Sequence, residues 1–165
     1  MEIYKLTPAD WKGYRDLRRE ALLENPEAFS ETYENALQRT DAEWEEKMKT
    51  TTSHIFVVRD GEEYVGMAGG FQEKGEKISH AGYVWGVYLR KTYRGQGLGK
   101  QMMQALLSEL QKNPEIKKIK LGVNTMQAAA VKMYESFGFK IVGTLQMEMR
   151  IGDTYFDEYV MEKII

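Results

Sequence analysis

The chain contains a glycine-rich run, Arg94-Gly95-Gln96-Gly97-Leu98-Gly99-Lys100, whose spacing suits phosphate binding. Glycine at every second position lets the backbone turn tightly and keeps Cβ atoms out of the way of a ligand. The run follows a strand-like segment, residues 83–89, and opens a helix-like segment, residues 98–110. Because the first N–H groups of a helix have no partner and lie at the positive end of its dipole, such a turn favours an anion.

The charge pattern supports a polyanionic ligand at the same place. Residues 90–120 have a net charge of +6, whereas residues 1–60, 61–89 and 121–165 have net charges of −4, −2 and −2. The basic block is therefore centred on the glycine run, where it attracts a negatively charged ligand. The isoelectric point of about 5.8 makes the whole chain acidic, so nucleic acid is not an expected partner.

Two better-known phosphate motifs do not fit this run. A Walker A loop needs Gly-x-x-x-x-Gly-Lys-Ser/Thr, but Arg94 stands at its first position and Gln101 replaces the hydroxyl residue that would bind magnesium. A dinucleotide fingerprint needs Gly-x-Gly-x-x-Gly and an acidic residue about 20 positions later, and residues 116–121 hold no acid. Hydrolysis of ATP or GTP and binding of NAD are thus both disfavoured.

Hydrophobic periodicity predicts the elements that position this turn. The expected order is one strand, two helices, three strands, a helix, a strand, a helix and two strands. The predicted strands are residues 2–6, 54–58, 64–71, 79–89, 119–123, 139–149 and 153–161. One predicted helix begins at the cap Asp10 and a second at the cap Asp41. Two further helices are predicted over residues 98–110 and 126–137, and residues 27–40 are expected to form a loop.

These elements indicate a fold of the mixed α/β (α+β) class. The strand, helix and strand within residues 80–123 require a parallel pair with a right-handed crossover, and the remaining neighbours are expected as antiparallel hairpins. The prediction is a central mixed, mostly antiparallel sheet of about seven strands flanked by about four helices. The 165 residues are expected to form a single domain, residues 1–165.

Composition excludes several classes of function. The chain has no cysteine, which removes disulfides, thiolate metal sites and cysteine nucleophiles. No apolar run approaches the roughly 20 residues of a membrane span, so no membrane association is expected. A cytoplasmic location and no metal cofactor are the corresponding expectations.

The turn and its surroundings resemble a known family. Arg94, Gly97 and Gly99 meet the pattern Arg/Gln-x-x-Gly-x-Gly/Ala at a strand-to-helix turn, and here the chain resembles the GNAT superfamily of acyl-CoA-dependent N-acetyltransferases. The preceding Val87-Tyr88-Leu89 is similar to the family's pantetheine strand. The segment from Asn124 to Phe139 is similar to its second motif, Asn-x-x-Ala-x-x-Leu-Tyr-Glu-x-x-Gly-Phe. The order of elements matches over essentially the whole chain.

The resemblance implies acetyl-CoA or coenzyme A as cofactor and assigns residues to it. Tyr134 is implied as the general acid that protonates the departing thiolate and as a cofactor contact. The other implied cofactor-binding residues are Val87, Tyr88, Leu89, Arg94, Gly95, Gln96, Gly97, Leu98, Gly99, Lys100, Asn124, Gln127 and Ala130. Gln127 stands where the family often has Asn, and Lys91 stands where Pro is frequent.

The general base is left open, because residues 81–89, where many members carry a glutamate, contain no acid. The candidates are His80, Glu31, Tyr155, Asp157 and Glu158, or a chain of water molecules. His54 and His80 lack paired acids, which is more typical of surface or structural histidines. The acceptor pocket is expected to be lined by Phe29, Glu31, Tyr33, Trp85 and Tyr155.

The implied reaction is acetyl transfer from acetyl-CoA to a primary amine of a small molecule, peptide or protein, by direct attack in a ternary complex. The net acidic N-terminal segment and last hairpin favour a cationic amine. The alternative is a non-catalytic acyl-CoA-binding module, which the missing strand carboxylate keeps open. Family members are often dimers, so the resemblance also leaves a homodimer open.

Overall fold

The computed structural model describes residues 1–165 and contains seven strands in one sheet. The strands alternate with helices in the predicted order, and their bounds agree with the predicted ones to within about two residues at most ends. The strands are β1 (Glu2–Lys5), β2 (His54–Asp60), β3 (Glu63–Gln72), β4 (Ala81–Leu89), β5 (Lys118–Asn124), β6 (Lys140–Ile151) and β7 (Thr154–Ile164).

Five α-helices flank the sheet. They are α1 (Trp11–Glu24), α2 (Tyr33–Gln38), α3 (Asp41–Thr50), α4 (Leu98–Leu110) and α5 (Ala128–Ser136). The bounds of α4 are those that the sequence predicts, because its six buried apolar side chains repeat at helical spacing after a glycine cap. Short 3-10 turns precede α1 and follow it, at Pro8–Asp10 and Pro26–Ala28.

The prediction of a loop at residues 27–40 is wrong in part, because this segment contains the helix α2. This helix of six residues begins after Thr32, whose hydroxyl accepts a hydrogen bond from the Asn35 N–H at 3.2 Å. Only one α2 residue, Ala36, is buried, so the helix has almost no apolar stripe for a sequence pattern to detect. It also makes the helix count five, where the sequence predicts about four.

Two expected helix caps differ in detail. Asp41 is the first residue of α3, and Thr40 caps that helix through reciprocal hydrogen bonds with Glu43. Asp10 does precede α1, but its carboxylate accepts from the Thr7 N–H and from the hydroxyls of Tyr4 and Tyr64. The carboxylate therefore ties β1 and β3 to the start of α1 and caps no N–H group of α1.

The sheet order is β1-β2-β3-β4-β5-β7-β6, and every pair is antiparallel except β4 with β5. This parallel pair is the one that the strand-helix-strand pattern predicts. Its pairing runs from Ala81 with Lys118 to Val84 with Leu121 and then stops. Beyond Val84 the two strands separate, which opens the sheet in its middle.

The two faces of the sheet carry separate apolar cores. Helices α4 and α5 cover one face, where Met102, Met103, Leu106 and Leu107 pack on Leu121 and its neighbours. Helices α1 to α3 cover the other face with a second core built around Tyr14, Leu17 and Trp44. The gap between β4 and β5 therefore connects the two faces of the molecule.

Candidate active site

A cleft of about 860 Å³ lies where β4 and β5 separate. Its walls come from the end of β4, the glycine turn with the start of α4, the start of α5, and the segment after α1. The lining residues are Asn25, Glu27, Ala28, Phe29, Val87, Tyr88, Leu89, Arg94, Gly95, Gly97, Gly99, Lys100, Met102, Met126, Gln127, Ala128, Ala129, Ala130 and Met133.

The glycine turn presents a continuous set of free donors to this cleft. Gly95 and Gly97 have φ values of +78° and +80°, a conformation that favours glycine. The first α4 hydrogen bond runs from the Gln101 N–H to the Gly97 carbonyl, and no N–H group between Gly95 and Lys100 donates to another atom of the chain. These donors, at the N-terminus of a 13-residue helix, fit a diphosphate.

Two basic residues flank these donors. Lys100 lines the cleft and makes no ion pair, whereas Arg94 has structural partners. The Arg94 Nε donates to the Leu89 carbonyl at 2.8 Å, and one Nη donates to the Asn25 side chain at 3.2 Å. Arg94 thus joins the end of β4 to the end of α1 and still brings its charge to the cleft wall.

The end of β4 has free backbone groups on the side that faces β5. Gly86 has a φ of +64°, and the register with β3 shifts between Met67 and Gly69, which places a bulge at this point of β4. Because pairing with β5 ends at Val84, residues 85–89 have no strand partner on that side. This is the segment whose resemblance implies contact with the pantetheine arm.

Asn124 lies behind the cleft, at the end of β5, and is almost fully buried. Its side-chain NH2 donates to the Glu27 carbonyl at 3.1 Å, and its side-chain oxygen accepts from the Met126 N–H at 2.9 Å. Asn124 therefore fastens the segment after α1 to the end of β5. Among the predicted cofactor residues, Asn124, Gln96, Leu98 and Tyr134 are not part of the cleft lining. Leu98 instead packs in the core, and Gln96 donates to the Thr92 carbonyl.

Tyr134 lies in the last turn of α5 with 5% of its surface exposed. Its ring packs edge-on against Phe139 at a centroid distance of 6.1 Å. Burial raises the pKa of the Tyr134 hydroxyl above its usual value. The hydroxyl makes no hydrogen bond within the chain.

The structure commits Glu31 to an ion-pair network. Its carboxylate accepts from Arg18 at 3.1 Å and from Arg39 at 2.9 Å. Burial opposes ionisation of Glu31, but the charge of Arg18 and the hydrogen bond from Arg39 outweigh it and lower the pKa of Glu31. A carboxylate held in this way takes up a proton poorly, so Glu31 is a weak candidate for the general base even though it lies near the expected pocket for the amine.

Only some of the other residues predicted to line the pocket for the acceptor amine lie close to one another. Phe29 lines the cleft and stacks on the Arg18 guanidinium, which also lies over the Trp85 ring. Tyr33 packs against the second core, and Tyr155 is exposed near the tip of the last hairpin. Tyr155 is therefore separate from the group formed by Phe29, Trp85 and Glu31.

The two histidines lie away from the gap. His54 begins β2 with its Nδ1 3.7 Å from Glu109, and burial together with the charge of Lys5 lowers the pKa of His54. His80 is exposed before β4, at the end of the strand opposite the separation. Asp157 is also engaged, because its carboxylate accepts from the Met147 N–H at 2.8 Å.

Several lining residues were not predicted from the sequence. Asn25, Glu27, Ala28, Met126 and Met133 line the cleft, and buried Arg18 supports Phe29 from below. Met133 lies three residues after the predicted Ala130 on the same face of α5, so helical periodicity could have indicated it. Asn25 and Glu27 sit in a turn with no motif, and only the fold brings this turn to the cleft.

Neither a membrane-spanning helix nor a group of metal-binding side chains is present. None of the helices has both the length and the apolar character needed to cross a membrane. No three acidic, histidine or cysteine side chains are grouped as a metal site would require.

Comparison with known proteins agrees with the geometry. The model of the acetyltransferase (GNAT) family matches residues 14–139. Spermine/spermidine N(1)-acetyltransferase of Bacillus subtilis (strain 168) is 35% identical over 66 residues, which are 39% of this chain and 43% of that protein. The match thus spans less than half of the curated relative.

Solved structures extend the likeness to the whole fold. The acetyltransferase of the GNAT family from Streptococcus pneumoniae has a TM-score of 0.85 at 22% identity, over 99% of both chains. A phosphinothricin acetyltransferase from Sinorhizobium meliloti, solved in complex with AcCoA, has a TM-score of 0.83 at 16% identity, over 99% of this chain and 88% of that one. With the family match over most of its length, this chain belongs to the GNAT family of acetyltransferases.

Proposed function

We propose that this protein is an N-acetyltransferase that moves the acetyl group of acetyl-CoA to a primary amine by direct attack in a ternary complex. The observation that carries the proposal is the run of free N–H groups from Gly95 to Lys100 at a cleft that continues into the gap between β4 and β5. A single domain, residues 1–165, would hold the whole activity. A cytoplasmic location belongs to the same proposal, because acetyl-CoA would be drawn from the metabolite pool there.

The residues present fit coenzyme A along the length of the cleft. The donors of the glycine turn, with Lys100 and Arg94 beside them, would hold the diphosphate. The unpaired backbone groups of residues 87–89 would hold the pantetheine arm. The side chains of Ala130 and Met133 on α5 would cover that arm. When bound, the cofactor supplies an acetyl thioester that an uncharged amine can attack.

The chain would contribute three further effects. The unpaired N–H groups beside the β4 bulge are placed to stabilise negative charge on the carbonyl oxygen. The Tyr134 hydroxyl, which has no partner in the chain, would protonate the thiolate. Phe29 and Trp85, supported by Arg18, would shield the reacting atoms from water.

A cationic amine is the acceptor class that we favour. Residues 1–60 and 121–165 have net charges of −4 and −2, and they include the turn after α1 and the end of β5, which Asn124 joins next to the cleft. The curated relative with 35% identity is named as an acetyltransferase of spermine and spermidine, which are polycations. Electrostatic attraction would raise the local concentration of such an amine.

A homodimer is part of the proposal. Strand β6 is the last strand of the sheet, so one of its edges has no neighbour. Its exposed side chains include Ile141, Val142, Leu145, Met147 and Ile151. An open edge with an apolar surface favours pairing with another chain. A second copy of β6 presents the same edge and the same apolar side chains.

The proposed activity can be tested without background, because the chain has no cysteine and any thiol that appears must come from coenzyme A. Purified protein and acetyl-CoA are mixed with spermidine, with a lysine peptide, or with the anionic amine aspartate, and thiol release and product mass are followed. We expect thiol release and a mass gain of one acetyl group with the cationic amines. Acetylation of aspartate alone would refute the cationic acceptor.

Calorimetry with coenzyme A distinguishes an N-acetyltransferase from a non-catalytic acyl-CoA-binding module. Heat of binding without thiol release on any amine would establish an acyl-CoA-binding module in place of an enzyme. No heat with either coenzyme A or acetyl-CoA would overturn both.

A further inference from the structure

Glu158 on β7 lies at the point where the sheet opens. It pairs in register with Asn124 at the end of β5, and its carboxylate lies over Gly122. Any side chain at Gly122 would overlap this carboxylate, so the glycine provides the space that the carboxylate occupies. Gly122 follows Leu121, the last β5 residue that pairs with β4. The Glu158 carboxylate is therefore next to the start of the gap.

The carboxylate faces the side of the sheet opposite α4. Leu121 and Val123 pack in the core under α4, so Gly122 between them points to the other face. The cleft is lined by the first residues of α4, by α5 and by the segment after α1. Glu158 lies on the face opposite α4, at the β5 end of the gap, so an amine bound there would reach the gap from the side away from α4.

Glu158 also differs from its neighbours because it has no partner. Glu162, two pleat repeats further along the same face of β7, pairs with Lys118, and Lys120 pairs with Glu73. Glu158 forms neither a hydrogen bond nor an ion pair within the chain, although it is half-buried. Of the acidic base candidates, Glu31 and Asp157 are engaged by other groups, so Glu158 is the one whose carboxylate is free.

We infer that Glu158 binds the ammonium group of the acceptor and takes its proton before attack. This rests on the proposed acetyl transfer and supplies the base that the strand before the glycine turn lacks. Burial raises the pKa of Tyr83 on β4, and the Tyr83 ring lies close enough to Glu158 for the negative charge of that carboxylate to raise it further. An aromatic ring beside a carboxylate suits a cation.

The proposed step balances as follows. Glu158 receives one proton from the ammonium and passes it to solvent, which leaves an uncharged amine. The nitrogen forms a bond to the acetyl carbon as the carbon–sulfur bond breaks. The thiolate takes the proton of the Tyr134 hydroxyl, and the excess proton on nitrogen returns to the phenolate. The products are the acetylated amine, coenzyme A thiol and one proton in solution.

The surroundings of Glu158 make its carboxylate more basic. Burial raises its pKa, and the negative charge of Glu148 on β6 raises it further. The other groups nearby are Tyr83 on β4, whose pKa burial and Glu158 also raise, and Lys120 on β5, which is neutralised by Glu73. A reference amine has a pKa of about 10.4 and a reference glutamate a pKa of about 4.3. Because the surroundings raise the pKa of Glu158, they reduce the difference in pKa between the amine and this carboxylate.

The test compares Glu158→Gln with the matched variant Glu162→Gln, which changes the same residue type on the same face of β7. With an acceptor that the wild type acetylates, we expect Glu158→Gln to lower kcat/KM for the amine at least ~100-fold. Its affinity for acetyl-CoA, measured by calorimetry, should stay within about twofold. Glu162→Gln should keep most of the activity.

The pH profile provides a readout that a structural role would not change. Wild type and Glu162→Gln should keep kcat/KM at neutral pH and lose it on the acid side, where Glu158 becomes protonated, whereas kcat/KM of Glu158→Gln should follow only the pKa of the amine itself, about 10.4. Glu158→Gln should melt no lower than wild type at pH 7, because it removes repulsion with Glu148.

A second variant moves the carboxylate without changing any charge. In Gly122→Ala the new methyl group would displace the flexible end of Glu158, and we expect a loss of kcat/KM for the amine with retained binding of acetyl-CoA. If Glu158→Gln and Glu162→Gln have equal activity and pH profiles, the assignment is wrong even though acetyl transfer stands. If the wild type acetylates no amine, the proposed function itself fails.

Discussion

At the scale of single residues, burial decides which titratable side chains are available for chemistry. Tyr134 is enclosed on α5 but has a hydroxyl without a partner, whereas Glu31 is held by two arginines. Reference pKa values place a tyrosine near ~10 and a thiol near ~8.5, so proton donation to a thiolate is uphill by about 2 kcal/mol. Burial of Tyr134 increases this difference. Proton transfer is therefore expected to occur together with cleavage of the carbon–sulfur bond.

Tyr134→Phe tests this role with little change in packing, since the ring against Phe139 is retained. We expect kcat to fall about 100-fold, which is within the usual contribution of a general acid. The KM for acetyl-CoA should change less than twofold. Steady-state kinetics at pH 7 would measure both, and an unchanged kcat would remove Tyr134 from the mechanism.

Glu31→Gln should reveal a structural role. The change leaves Arg18, which is 7% exposed, and Arg39 without their shared carboxylate, so unfolding free energy should fall by about 3 kcal/mol at pH 7. Because the folded-state pKa of Glu31 is lowered, its stabilisation is present above its unfolded pKa and disappears as pH falls through the folded value.

Urea unfolding at pH 7 and below pH 4 would check this pH dependence. The difference in stability between wild type and Glu31→Gln should shrink in acid. Equal stability of the two proteins at pH 7 would show that the ion pairs contribute nothing net.

At the scale of elements, the proposed binding unit for coenzyme A consists of β4, the glycine turn and α4. The turn works because residues with positive φ release N–H groups that a regular chain would use internally. This part was predictable from sequence, since glycine spacing and helical periodicity are local signals. Helix α2 was not predictable in the same way, because six residues with one buried side chain carry little pattern.

Gly97→Ala is expected to weaken binding of coenzyme A several-fold. Alanine at a φ of +80° costs about 1 kcal/mol, and relief of that strain would turn the N–H groups away from the ligand. Gly152→Ala is the matched control, because Gly152 has a φ of +58° in the β6–β7 turn with open space around it. Calorimetry should show weaker binding only for Gly97→Ala, although both variants lose stability.

At the scale of the whole molecule, the open edge of β6 is the feature without a partner. Most β6 residues are exposed, and Met147 and Val142 keep 60% and 54% of their surface accessible. The same strand reaches the turn after α1 that lines the cofactor cleft. Association through β6 would thus cover apolar surface and steady one wall of the cleft.

Val142→Lys tests the homodimer. We expect the wild type to sediment with twice the mass of one chain at micromolar concentration and Val142→Lys to sediment as a monomer, since a charge on an edge strand opposes pairing. Lys140→Glu, which alters charge on the same strand without removing apolar surface, should remain a dimer. A wild type that stays monomeric at high concentration would contradict the homodimer.

The sequence by itself predicted the glycine turn before α4, the order of the strands, the parallel β4–β5 pair and the family resemblance, because each follows from a local pattern of residues. Only the tertiary structure decided which carboxylates are free. Glu31 meets Arg18 on α1 and Arg39 just after α2, and Glu158 meets Gly122 only through pairing of β5 with β7. Ion pairing and burial are set by groups far apart in the chain, so no local pattern could separate these two glutamates.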